Sequence, residues 1–397
     1  MLSPNDLRDK PIILGVKIDD LPLPKILAQI DGFLDSDTQH KVFTPNPEIC
    51  LKAEADEAYR KILDEADINA PDGFGLKLGA MILGQKIENR VTGVDLTAAL
   101  LKLLNEKKKR VFVLLRKVTL TKPDELKAYF NKNFPQIDFD CGQVDIDDYL
   151  NCNEVLEKIN EFAPDVLFCA LGAPYQELWI SRYLKTLSSV KVALGVGGTF
   201  DFLTEKIQRA PEVVRQLGFE WLYRLYQEPK RLKRIKGAVA DFLLACHRWK
   251  ERIRTQMREN VVGVIKNKDG KYLLAFNPRF DHWQFPQGGV EEGESPEAAV
   301  VREVSEEVGA KPELLSVVKK IPEKHDYAWP RYAQLLRGYK GQSQTAFVLN
   351  FSGTDKDFDF SDTDEVVKII WMDKKDLVQK IHPMRRDFAK KIVKHLD

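Results

Sequence analysis

Between Ser295 and Gly309 the sequence SPEAAVVREVSEEVG sets Glu303, Glu306 and Glu307 at intervals of three and four residues, with Arg302 directly before them. Ser295 followed by Pro296 signals a helix start and Gly309 a helix stop, so these carboxylates share one helical face. Clustered anions repel unless a cation sits among them, and an oxygen-only ligand set suits Mg2+ or Mn2+. Such an ion neutralises developing phosphate charge and supplies hydroxide at neutral pH, while Arg302 is placed to pair with and orient one carboxylate of the cluster. The chemistry expected is substitution at phosphorus. Acidic helices more often present only a solvated charged face. What distinguishes this one is its fixed surroundings: Gly288, five residues, Glu294, seven residues, then Arg302-Glu303-Val304-Ser305-Glu306-Glu307-Val308-Gly309.

This pattern resembles the Nudix box in every specified position. The resemblance implies a pyrophosphohydrolase with Glu303, Glu306 and Glu307 as metal ligands and, with Arg302, as the catalytic set. Glu365, ahead of the strand-like VVKIIWM, is a further candidate ligand, against the commoner reading of a surface loop acid. WQFPQGG (Trp283–Gly289), YAWP (Tyr327–Pro330) and GQSQTAF (Gly341–Phe347) extend the likeness, over about residues 258–397, to dinucleoside polyphosphate hydrolases and RNA 5′-pyrophosphohydrolases. That branch implies a nucleotide substrate touched by Gln287, Gly288, Gly289 and Tyr327. It usually carries lysines and an aromatic where this chain has Ser343, Thr345 and Ala346. Tyr327 or Trp329 is a candidate for stacking on a base, with plain packing beside a proline as the alternative.

A second set of residues is spread through the first half of the chain. It comprises Thr44-Pro45-Asn46 with Glu48, Ala66-Asp67, Pro71-Asp72-Gly73, Arg90 through Gly93 with Asp95, Gly172 through Glu177, Gly195 through Gly198 with Phe200-Asp201, Arg209-Ala210-Pro211, and Glu220-Trp221 with Arg224. In order and number these resemble the WecG/TagA/CpsF glycosyltransferases, from about Ile12 to Arg234. The family transfers N-acetylmannosamine or a related sugar from a UDP-sugar donor to a lipid-linked acceptor. The resemblance implies Asp72 as the base and Thr44, Asn46, Asp95, Gln176, Glu177, Gly197, Gly198, Asp201, Arg209 and Arg224 as substrate contacts. Transfer to a hydroxyl requires a base at the acceptor oxygen and donors or cations at the departing diphosphate. The glycines of 195–198 either bring backbone N–H groups to a phosphate or make a tight strand-to-helix turn. Thr44 and Asn46, beside two prolines, equally suit a rigid loop. Two departures stand out: Arg116-Lys117 replaces a glycine pair, and Glu205 replaces a glycine before the Arg209 segment.

The elements that must position these residues are legible from periodicity. Short apolar runs at Val111–Leu115, Asp165–Gly172 and Val190–Gly198 alternate with amphipathic stretches, which implies an α/β domain with a largely parallel sheet, glycosyltransferase-like. From Val261, VVGVIKNKDGKYLLAF reads as a hairpin around Asp269-Gly270 and opens a small α+β domain. The expected organisation is 1–245, a linker helix at 246–259, and 260–397. Lys230, Arg231, Lys233, Arg234 and Lys236, followed by AVADFLLA, form a basic amphipathic stretch that either touches a membrane surface or docks between domains.

At 397 residues, 44% hydrophobic and 30% charged, the chain suits two folded domains and excludes disorder. Its 61 basic and 60 acidic residues give no global charge that demands nucleic acid or membrane. Five scattered cysteines and six scattered histidines show no zinc spacing and fit a reducing compartment. No signal-peptide core or spanning run is present, so a cytoplasmic protein is expected, with peripheral contact at the inner face of the membrane. The leading expectation is a bifunctional enzyme. Its rivals are a non-catalytic N-terminal module that binds a nucleotide or glycolipid and localises the hydrolase, and a C-terminal nucleotide sensor that gates the transferase.

Overall fold

The computed structural model describes residues 10–211, 214, 223, 232–278, 281–360 and 366–397. Arg224, Glu365, Lys230 and Arg231 lie outside these residues. The chain divides into two compact units, Met1–Lys250 with Leu335–Gly338, and Glu251–Gln334 with Tyr339–Asp397.

The first unit is built on a six-stranded sheet of β1 (His40–Phe43), β2 (Ile68–Asn69), β3 (Arg110–Arg116), β4 (Asp138–Val144), β5 (Val166–Ala170) and β6 (Val192–Gly195). Their order is β2-β1-β6-β5-β3-β4, and every pairing is parallel. All five residues of β5 are buried, as are Val111 through Leu115 of β3, which is why these strands read as unbroken apolar runs. The helix Gly93–Glu106 packs Leu96, Leu100 and Leu104 into the same core as Val111, Val113 and Phe168. It starts where Thr92 Oγ1 accepts from the Asp95 amide at 3.1 Å. Parallel strands place all their carboxyl ends at one edge, the edge at which such sheets bind ligands. The loops leaving that edge here are Thr44–Asn46, Ala70–Gly73, Lys117–Thr121, Leu171–Pro174 and Val196–Gly198.

The second unit contains a seven-stranded mixed sheet: β7 (Met257–Lys266), β8 (Tyr272–Asn277), β9 (His282–Gln284), β10 (Gln287–Gly289), β11 (Leu315–Ala328), β12 (Gly341–Phe351) and β13 (Lys368–Met372). The main path runs β9-β8-β7-β12-β11, with β10 on β7 and β13 on β8. The Asp269-Gly270 turn is closed by the Asn267 amide on Lys271 O at 2.9 Å, with Gly270 at φ +79°. One sheet face is covered by the helix Pro296–Val308, through Val300, Val304 and Val308. Gly263 permits that contact, since a Cβ there would meet Val304 Cγ2 at 2.4 Å. The other face is covered by the helix Arg386–Val393, through Phe388, Ala389 and Ile392.

The helix expected at 246–259 runs instead from Leu232 to Thr255, and residues 257–259 already belong to β7. Lys233, Arg234 and Lys236 lie within it. The basic pattern therefore opens one long helix, and the β-rich sequence after Thr255 pairs at once with β12. Among the described residues no helix is long and apolar enough to cross a membrane.

Candidate functional site

In the second unit, Ser295 caps the Pro296–Val308 helix by accepting from the Ala298 amide at 3.2 Å, and Gly309 ends it at φ +65°. The apolar positions face the sheet, which turns Arg302, Glu303 and Glu306 outward toward β10. Arg302 is the hub. Its Nε and Nη2 donate to the two oxygens of Glu294 at 3.0 and 2.8 Å, its Nη1 to Glu303 at 2.9 Å and Glu306 at 3.2 Å, and its Nη2 also to Gly289 O at 2.9 Å. The fork holds the Glu294 carboxyl below the usual carboxylate range. Burial pushes the Glu303 carboxyl up, with Arg302 pulling the other way.

Glu307 points elsewhere. It is buried and accepts from the Gln287 amide at 2.9 Å, tying the helix to β10. The three carboxylates therefore do not meet at one point here: among the described residues no three acid, histidine or cysteine side chains stand close enough to share an ion. The reason is local. Arg302 occupies the space between Glu303 and Glu306, and Glu307 is held inward. The donor set still fits a hard divalent cation, being composed of carboxylate and carbonyl oxygens around a cradle that a side chain would fill. A Cβ on Gly288 would stand 1.6 Å from Glu303 Oε2. Gly288→Ala is accordingly expected to displace the Glu303 carboxylate, the far end of a flexible side chain, while leaving stability within about 1 kcal/mol, read from urea melts.

The wall opposite the helix holds residues that motif reading missed. Gln287 Oε1 accepts from Gln344 Nε2 at 2.8 Å and also from Arg385 Nη1. Gln344 reaches Asn260 as well, at 3.0 Å. Burial works against the charge of the half-buried Arg385, while Tyr327 and Glu307 favour it. A Cβ on Gly289 would meet the Arg258 guanidinium at 2.6 Å. Arg258 and Arg385 thus bring cations to a site whose GQSQ segment lacks them. No spacing rule marks either in the sequence, because one begins a strand and the other sits in a short turn far down the chain. Tyr327 donates its hydroxyl to Gln342, and its ring lies 5.5 Å from His325, which stacks on Phe388 at 4.9 Å. That is a packed ladder rather than an open face.

In the first unit, Asn46 Oδ1 caps the helix Pro47–Ala55 by accepting from the Ile49 amide at 3.0 Å. Thr44 is buried at the end of β1, where a Cβ on Gly93 would stand 3.4 Å from its hydroxyl. Asp72 is half-buried, its amide bonded to Pro45 O at 2.9 Å, and Gly73 beside it has φ +94°. Asp95 pairs with Arg209 at 2.7 Å and accepts from Thr92 Oγ1 at 2.7 Å. Asp201 accepts from the Thr121 amide and hydroxyl at 3.0 and 2.7 Å, fastening the loop after β3.

Gln176 and Glu177, expected to face substrate, are buried inside the wall. Gln176 Oε1 accepts from the amides of Gly172 at 3.2 Å and Gly197 at 2.8 Å, and its Nε2 donates to Glu177 at 2.7 Å. Glu177 also accepts from the Tyr59 hydroxyl at 3.0 Å, and burial pushes its carboxyl up. The Gly197 N–H is thereby used inside the protein. The glycine run makes a strand-to-helix turn, with only Gly198 exposed.

Residues 11–258 match the glycosyl transferase WecG/TagA/CpsF family model, well over half of the chain. The chain belongs to that family. Residues 256–396 match the NUDIX domain model. Among curated relatives, an N-acetylglucosaminyldiphosphoundecaprenol N-acetyl-beta-D-mannosaminyltransferase of Bacillus spizizenii is 34% identical over 206 residues, covering 51% of this chain and 77% of that protein. One of the same name from Staphylococcus aureus is 29% identical over 246 residues, covering 61% and 94%. Among solved structures, a C. elegans Ap4A hydrolase covers 34% of this chain and 95% of its own, at 19% identity and TM-score 0.27. The E. coli dihydroneopterin triphosphate pyrophosphohydrolase covers 35% and 98%, at 21% identity and TM-score 0.28. The two family models together divide the chain into a WecG/TagA/CpsF transferase domain and a NUDIX domain.

Within the WecG/TagA/CpsF domain, both sequence departures lie at exposed positions. Arg116, the last residue of β3, and Lys117 after it are exposed, and Glu205 adopts φ +60°. A left-handed backbone is what a glycine accepts freely and glutamate does not. Glu205→Gly is expected to raise stability by about 1 kcal/mol in a urea melt. A loss of stability would mean that the Glu205 side chain contributes more than its backbone costs.

Proposed function

We propose that the Nudix domain hydrolyses a nucleotide phosphoanhydride, that of a dinucleoside polyphosphate or an RNA 5′-triphosphate end. Glu303, Glu306 and Glu307 would hold Mg2+ or Mn2+, with Glu365 as a further ligand. Once bound, the ion offsets phosphate charge and lowers the pKa of water. Arg302 holds Glu303 and Glu306 beside β10 by donating to both, and Arg385 and Arg258 would supply charge to the phosphates. The observation that supports this most is the Arg302 hub, which gathers Glu294, Glu303, Glu306 and the Gly289 carbonyl into one polar cradle. Incubation with Mg2+ and either diadenosine tetraphosphate or triphosphorylated RNA, with products resolved chromatographically, tests it. No metal-dependent cleavage of either would overturn it.

We infer that the first domain transfers a sugar from a UDP-sugar, of the N-acetylmannosamine kind, to a lipid-linked acceptor at the cytoplasmic face of the membrane. Its support is the gathering of the motif loops at the carboxyl edge of the sheet, together with the relatives' names. Asp72 would take the acceptor proton. Asp95 and Arg209 would position the donor, the arginine facing the diphosphate and the aspartate fixing the arginine. The exposed Arg116-Lys117 pair favours a second reading, in which this domain binds a nucleotide or glycolipid without turnover.

A further inference from the structure

The outer edge of the Nudix sheet carries aromatic and cationic side chains that the hydrolytic site does not use. β9 ends the main path of the sheet, and its pairing with β8 sets Trp283 opposite Phe276, ring centroids 5.2 Å apart. Lys368 Nζ stands 4.3 Å from the Phe276 centroid and 5.7 Å from that of Trp283. Lys380 Nζ stands 5.3 Å from the Trp283 centroid. Both lysines are exposed, and among the described residues neither is paired with a carboxylate. Their ammonium groups are held by ring faces, which fixes them without neutralising them.

This patch is continuous with the candidate site. Trp283 precedes Gln287 by four residues, and the His382 amide donates to Trp283 O at 3.3 Å. His382 lies 4.6 Å from His282, ring to ring, and opens the turn that ends in Arg385. Burial lowers the His382 pKa, and His282, Arg385 and Arg386 lower it further, as a locally positive field requires. From Arg385 to Lys380 the surface therefore offers cations interleaved with rings, the pattern that tracks a single-stranded nucleic acid.

We propose that Phe276, Trp283, Lys368 and Lys380, with the His282–His382 pair, form a subsite for the RNA chain downstream of the reacting 5′ end. This rests on the Nudix domain acting on a nucleotide phosphoanhydride, and it selects between the substrate classes. A dinucleoside polyphosphate carries all its phosphates between its two nucleosides and has none beyond the second. Two ammonium groups that no carboxylate among the described residues pairs with, away from the hydrolytic cradle, match the 3′-linked phosphates that a polynucleotide presents and a dinucleoside polyphosphate lacks.

The test uses the full-length protein and two 5′-monophosphorylated RNAs, a dinucleotide and an octanucleotide, with binding followed by fluorescence anisotropy across a salt series. The octanucleotide is expected to bind about tenfold or more tightly than the dinucleotide, the equivalent of about 1.4 kcal/mol. The double variant Lys368→Ala/Lys380→Ala should lose that preference. Its plot of log affinity against log salt should flatten by about 1.4, the value for two lost phosphate contacts on a single strand. Trp283→Phe, which keeps an aromatic ring in place, should retain most of the preference. Equal binding of the two RNAs by the native protein, or an unchanged salt slope in the lysine variant, overturns the subsite. Length-dependent binding without Mg2+-dependent hydrolysis of any substrate supports the subsite and overturns the hydrolase reading alone.

Discussion

Glu306→Gln is expected to lower Mg2+-dependent phosphoanhydride hydrolysis by about 10²–10³-fold, the loss typical when one electrostatic contact to a transition state is removed. Glu306 is the sharpest probe among the three glutamates because its side chain is 61% exposed and its contact is the 3.2 Å bond from Arg302. Its removal should therefore leave stability within about 0.5 kcal/mol, as for other surface substitutions. Glu307→Gln would confuse the result, since Glu307 is buried and holds β10 through the Gln287 amide. Arg302→Lys separates positioning from ligation. A lysine cannot reproduce the fork on Glu294 while also reaching Glu303, Glu306 and Gly289, so about 10–100-fold of activity should go with it, the scale of lost outer-shell partners. Chromatographic product analysis and urea melts of both variants check these values. Undiminished turnover in Glu306→Gln would remove that carboxylate from the machinery. Nucleotide binding without turnover in the native protein would point to a sensor.

The features that were legible in the sequence are those fixed by local backbone chemistry. Ser295, Pro296 and Gly309 bound their helix as caps should, and the Val300, Val304 and Val308 spacing turns it onto the sheet. Apolar runs become buried parallel strands because both faces of that sheet are covered. The direction of a polar side chain is a different matter, decided by burial and by partners distant in the chain. Gln176 and Glu177 follow a glycine turn and look like ligands for a nucleotide. Yet Tyr59, more than a hundred residues earlier, reaches Glu177 and draws the pair inward. Gln176 then takes the Gly197 N–H that a phosphate would need. Arg385 is the converse case: nothing in PMRRDF marks it, and only the fold brings it to Gln287.

Asp72→Asn is expected to lower sugar transfer by about 10²–10⁴-fold while leaving UDP-sugar affinity within about twofold, because a general base contributes on that scale and an isosteric amide preserves shape. The placement of the residue supports the expectation. β2 ends at Asn69, the Ala70 amide bonds Phe43 O, and the Asp72 amide bonds Pro45 O, so the loop after β2 is sewn to the loop after β1. Gly73 turns the chain at φ +94° into the helix Phe74–Ile82. Asp72 is thus held by backbone on both sides, half-buried at the carboxyl edge of the sheet, and an amide there should not move it. Asp95→Asn should act differently. It weakens the 2.7 Å pair with Arg209, and the cation assigned to the diphosphate then loses its anchor, so KM should rise more than kcat falls. Steady-state transfer assays with UDP-N-acetylmannosamine, alongside calorimetric binding of UDP, distinguish the two patterns. If the native domain binds UDP-sugar without turnover and Asp72→Asn changes nothing, the domain is a binding module. In that case the exposed charges of Arg116 and Lys117, at the position of a glycine pair, would be the first residues to revert.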